Sequence, residues 1–66
     1  MMQLNDAIRS ERRKLGMTQK QLSEKSGVST TTIANLELGR DPNVRTLRKI
    51  AVALNTTPAQ LIERTT

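Results

Sequence analysis

The punctuation of this chain constrains it most. Glycines stand at 16, 27 and 39, and each is followed within two to four residues by a helix-capping residue, Thr18, Ser29 or Asn43. Glycine accepts the left-handed conformation in which helices stop. A side-chain oxygen just ahead of the next segment accepts the free N–H groups with which a helix starts. Asn55 followed by Thr57-Pro58 gives a further stop and start, with Pro58 at the first helical position.

Five short segments result. The first runs from Leu4 to Leu15, with Leu4, Ile8 and Leu15 on one helical stripe. The second opens in a capping box, Thr18-Gln19-Lys20-Gln21, and carries Leu22 as its core residue. The third extends from its Ser29 cap to Leu38. After the turn signal Asp41-Pro42-Asn43, the fourth runs from Val44 to Leu54, with Leu47, Ile50, Ala51 and Leu54 at i, i+3, i+4 and i+7. The fifth spans Pro58 to Glu63 behind the capping box Thr57 to Gln60. No segment alternates with period two. The prediction is an all-α fold, five short helices in one compact domain over residues 1–66.

Composition narrows the function. Leu, Ile and Val make up 15 of 66 residues and Phe is absent, so the core is small and each aliphatic side chain is needed. There is no cysteine and no histidine, which removes disulfides, thiolate metal sites and the commonest metal ligand and general base. The four glutamates, Glu11, Glu24, Glu37 and Glu63, show no clustering, so neither an enzyme nor a cofactor is expected. No stretch approaches the ~20 apolar residues of a membrane span, and Met1 to Asp6 contain no signal-like apolar run. A cytoplasmic protein of a prokaryotic cell, phage or plasmid is expected. The net charge is +5 with a pI near 10.9. A basic surface can serve solubility alone, but in so small a chain it points first to an anionic polymer.

Segments two and three sharpen that reading. Two helices of about eight and nine residues, joined by a turn at Gly27-Val28-Ser29, have helix-turn-helix spacing, with the core of the motif at about residues 18–38. At 100° per residue, Ile33, Leu36 and Thr32 face inward. Thr30, Thr31, Ala34, Asn35 and Leu38 form an outward arc of about 140°. The arc is small and polar where it begins. It suits a major groove, in which Asn pairs with adenine N6 and N7 and threonine methyls touch thymine methyls.

At this point the chain resembles a family. Gly16-Met17-Thr18-Gln19-Lys20-Gln21-Leu22, Gly27-Val28-Ser29, Ile33 to Arg40, Pro42 and Leu47 to Leu54 resemble, in order and spacing, the Cro/CI-type or lambda repressor-like helix-turn-helix domains, also called the XRE family. The resemblance covers residues 4 to 62. It implies double-stranded DNA as partner, with Thr30, Thr31 and Asn35 as base readers. It implies contacts to the DNA backbone or minor groove from Thr18, Gln19, Arg40, Asn43 and Arg45, and a buried ion pair between Arg12 and Glu37. Departures are an acid at Glu11 where an apolar residue is usual, threonines at 30 and 31, Thr56 in place of an aliphatic, and apolar Leu38 and Val52. Val52 and Ile62 are the candidate contacts of a homodimer, the form in which many members read a palindromic site. The expected protein is a small repressor or autoregulator with no small-molecule effector. The rival with the same fold is a protein-interaction module, such as the antitoxin half of a toxin–antitoxin pair.

Overall fold

The computed structural model describes residues 3–63. Five helices follow one another: α1 (Leu4–Lys14), α2 (Gln19–Ser26), α3 (Thr30–Glu37), α4 (Val44–Ala53) and α5 (Pro58–Glu63). There is no strand among the described residues, and the fold is all-α.

Local chemistry sets the boundaries. The Thr18 hydroxyl accepts the Gln21 N–H at 3.0 Å while the Gln21 carboxamide oxygen accepts the Thr18 N–H at 2.9 Å, a complete capping box. Ser29 Oγ accepts the Thr32 N–H at 3.1 Å, and Asn43 Oδ1 accepts the Thr46 N–H at 2.7 Å. Gly27 ends α2 at φ +75°, and Asn55 takes the same left-handed region at φ +57° after α4. The box before α5 is only half formed. Thr57 Oγ1 accepts the Gln60 N–H, but the Gln60 side chain bonds the Thr56 hydroxyl at 2.7 Å.

Each helix contributes to one core. Ala7 and Ile8, Leu22, Ile33 and Leu36, Ile50, Ala51 and Ala53, and Leu61 are buried together with Val28 from the α2–α3 turn and Leu54 beyond α4. Leu15 departs from its expected place in the α1 stripe. The helix stops at Lys14, the chain reverses at Gly16, and Leu15 is left 43% exposed while Met17 packs against the core instead. Helices α3 and α4 also end one residue before Leu38 and Leu54, which serve as their C-caps. Glu11, the acid in an apolar position, is nevertheless buried, and its carboxylate lies 3.6 Å from Lys14 Nζ. No described helix is long and apolar enough to cross a membrane.

Candidate nucleic-acid interface

The outer face of α3 begins at its cap. Ser29 holds the first turn through the Thr32 N–H, and its hydroxyl also donates to Thr32 Oγ1 at 2.8 Å. That leaves Thr30 and Thr31 exposed with no side-chain hydrogen bond to another described residue. Asn35 is half-buried one turn further on. Its carbonyl accepts the Arg40 N–H at 3.1 Å, whereas its carboxamide has no partner among the described residues. The face therefore offers two hydroxyls and one amide, all unspent and all uncharged.

A hollow of about 240 Å³ runs alongside, between α3 and the start of α4. Asn35, Arg40 and Asn43 line it together with Thr32 and Thr46. A base-reading candidate and two backbone-contact candidates thus meet at one surface. Arg40 and Arg45 are exposed and form no ion pair among the described residues. Asn43 already serves as the α4 cap through its oxygen, so only its amide N–H groups remain for a ligand. Thr18 is likewise spent within its capping box.

Gln19 is placed differently from a free phosphate donor. It is half-buried, and its Nε2 donates inward to Glu37 Oε1 at 3.4 Å. Glu37, 3% exposed, closes α3 and gathers several donors. Arg12, 9% exposed, makes a two-pronged contact with it, Nε to Oε2 at 2.8 Å and Nη2 to Oε1 at 2.9 Å. Arg9 Nε lies 3.5 Å from the same Oε1. Arg12 Nη1 also donates to the Met17 carbonyl at 2.8 Å, which ties the α1–α2 turn to the same cluster. Burial by itself pushes the Glu37 carboxyl up. The hydrogen bonds from Arg12 and Gln19 and the charges of Arg12 and Arg9 outweigh it, so the carboxyl sits below the ordinary glutamate value. The hydrogen bond to Glu37 raises the Arg12 guanidinium despite its desolvation.

Two similarities bear on this geometry. A helix-turn-helix family model matches residues 8–61. An uncharacterised HTH-type transcriptional regulator of Methanothermobacter thermautotrophicus is 46% identical over 48 residues, covering 71% of this chain and 70% of that protein. The chain belongs to the lambda repressor-like helix-turn-helix family. Membership makes it a DNA-binding domain of the kind used in transcription regulation, and its α2 and α3 are the helix-turn-helix pair.

Within this family frame, Val52 and Ile62 stand apart from the α3 surface. Val52 is 73% and Ile62 51% exposed, on two helices that pack against each other. Two residues escaped the sequence reading. Asn5 Nδ2 donates to the Glu37 carbonyl at 3.3 Å, and Arg9 Nη2 donates to the same oxygen. Their signal was present, because Asn5, Arg9 and Arg12 stand at i, i+4 and i+7 of α1.

Proposed function

We propose that this chain is a sequence-specific double-stranded DNA-binding regulator that acts as a two-fold homodimer on a palindromic operator, with repression, including of its own gene, as its output. The observation that carries the proposal is the outer face of α3, where the side chains of Thr30, Thr31 and Asn35 are uncharged and have no partner among the described residues, in a chain of net charge +5. Such groups suit the edges of base pairs. Asn35 offers the bidentate pattern that adenine accepts, and the threonines offer single hydrogen bonds and methyl contacts. Arg40 and Asn43 are the proposed contacts to the DNA backbone, and Arg45 is the proposed contact to the minor groove.

One helix-turn-helix reads about half an operator, and a two-fold pair places its reading helices one DNA turn, ~34 Å, apart. Val52 on α4 and Ile62 on α5 are the proposed contact. Control then comes from protein concentration and assembly in the cytoplasm, with no effector, cofactor or catalytic group assigned.

The test is selection of bound DNA from a random pool by the purified protein, followed by binding measurements over a range of salt. The expected outcome is a palindromic consensus, with log K falling against log salt by about 0.9 per neutralised phosphate. Sedimentation should show a dimer on that DNA. Absence of any enriched sequence would overturn the DNA-reading assignment, and one strictly monomeric copy per site would overturn the dimer.

A further inference from the structure

Three side chains on one stripe of α1 converge on one residue of α3. Asn5 Nδ2 and Arg9 Nη2 both donate to the Glu37 carbonyl, while Arg9 Nε and the Arg12 guanidinium face the Glu37 carboxylate. The carbonyl matters because a helix leaves its last carbonyls without partners. In α3, those of Ala34, Asn35 and Leu36 are taken by the N–H groups of Leu38, Arg40 and Gly39. The Glu37 carbonyl is served from another helix. The last turn of α3 holds no basic residue of its own, so the cations facing its negative end come from α1.

We infer that Asn5 and Arg9 are positioning residues for DNA reading, which fix the tilt of α3 and so set sequence preference without touching DNA. The inference rests on the assignment of α3 as the reading helix. Eight residues make a rod of about 12 Å, clamped at Glu37 and carrying Thr30 and Thr31 at its other end. Turning such a rod by about 5° about its clamp moves the far end by roughly 1 Å. That is enough to spoil a hydrogen bond to a base edge, whose strength falls steeply with distance and angle. Contacts to phosphate, made from other elements, are left in place.

Arg9→Lys tests this most directly. It keeps the charge, but one ammonium cannot reproduce the guanidinium fork that serves carbonyl and carboxylate together. The preference for selected over unrelated DNA should fall about five- to tenfold, with affinity for unrelated DNA and the salt slope unchanged. Asn5→Ala, which keeps Arg9 intact, should lower the preference about twofold. An unchanged preference in folded Arg9→Lys and Asn5→Ala overturns the inference. So does an equal loss on both DNAs with a shallower salt slope, which would make Arg9 a phosphate ligand. A parent protein without sequence preference would instead overturn the reading assignment. The clamp is then judged without DNA, by amide exchange at Leu38, Gly39 and Arg40, which should quicken in both variants and refutes the clamp if it does not.

Discussion

At its C-terminal end α3 closes on Glu37, which is nearly inaccessible to water and holds donors from α1 and α2. At its N-terminal end, eight residues away, the same helix is held by the Ser29 hydroxyl, and Thr30 and Thr31 project into solvent. Both ends are polar, but the physics differs. A buried charge must be paired, or it costs several kcal/mol. An exposed hydroxyl is satisfied by water until a ligand replaces it. The contrast shows how a small domain presents unspent hydrogen-bonding groups on a rigid support, with the satisfied polar cluster at one end and the open face at the other.

The strongest way to break that contrast is Glu37→Gln. It strands the Arg12 guanidinium, and the expected loss is about 3–5 kcal/mol of folding stability, a large part of what so small a domain has. Thermal denaturation reads it directly. A melting point within a degree or two of the parent would show that the C-terminal end is no clamp. The same carboxylate predicts a pH dependence. Its value in the folded chain is lowered, so the unfolded chain takes up the proton first as acid is added. Its contribution is complete well above the ordinary glutamate value, about 4.3, and is lost as pH falls through the folded value. Glu37→Gln should therefore flatten the acid limb of a stability profile, as followed by urea unfolding at successive pH values.

The open end is probed by Asn35→Ala. The expected loss is ~1–3 kcal/mol on selected DNA and almost nothing on unrelated DNA, with preference relaxed at one base position. Thr30→Ala and Thr31→Ala should each cost less, since each threonine makes only single contacts. Retained preference at every position in a full half-site substitution series would mean that α3 docks by another face. Ser29→Ala sharpens the comparison further. Loss of this cap should cost about 1 kcal/mol of stability, several times less than loss of the Glu37 carboxylate. Arg45→Ala should have the smallest effect on the fold, within about 0.5 kcal/mol, because the side chain is exposed and forms no ion pair among the described residues. It should flatten the slope of log K against log salt by up to about one unit. An unchanged slope would place Arg45 away from the nucleic acid.

Much of this architecture was legible before any coordinate. Thr18 with Gln21, Ser29 with Thr32 and Asn43 with Thr46 are contacts across three residues, so the chain declares them locally. The outward position of Thr30 and Thr31 followed from helical phase alone. Leu15 was misplaced because periodicity does not register that a helix ends just before the last residue of its stripe. The Gln19 carboxamide, expected at DNA, was found turned toward Glu37.

The sequence by itself determined five helices, their order, a helix-turn-helix in the second and third, and a basic surface. Each rests on interactions within a turn or two of chain, or on composition, and these need no partner segment. Only the tertiary structure decided that Asn5, Arg9 and Gln19 join Arg12 at Glu37, across separations of 32, 28 and 18 residues. It also decided that Glu11 is buried despite its charge. The crossing of α1 over α3 brings Asn5, Arg9 and Arg12 to Glu37, and that crossing follows from how Ala7, Ile8, Ile33 and Leu36 fill a shared core rather than from any pattern within a single helix.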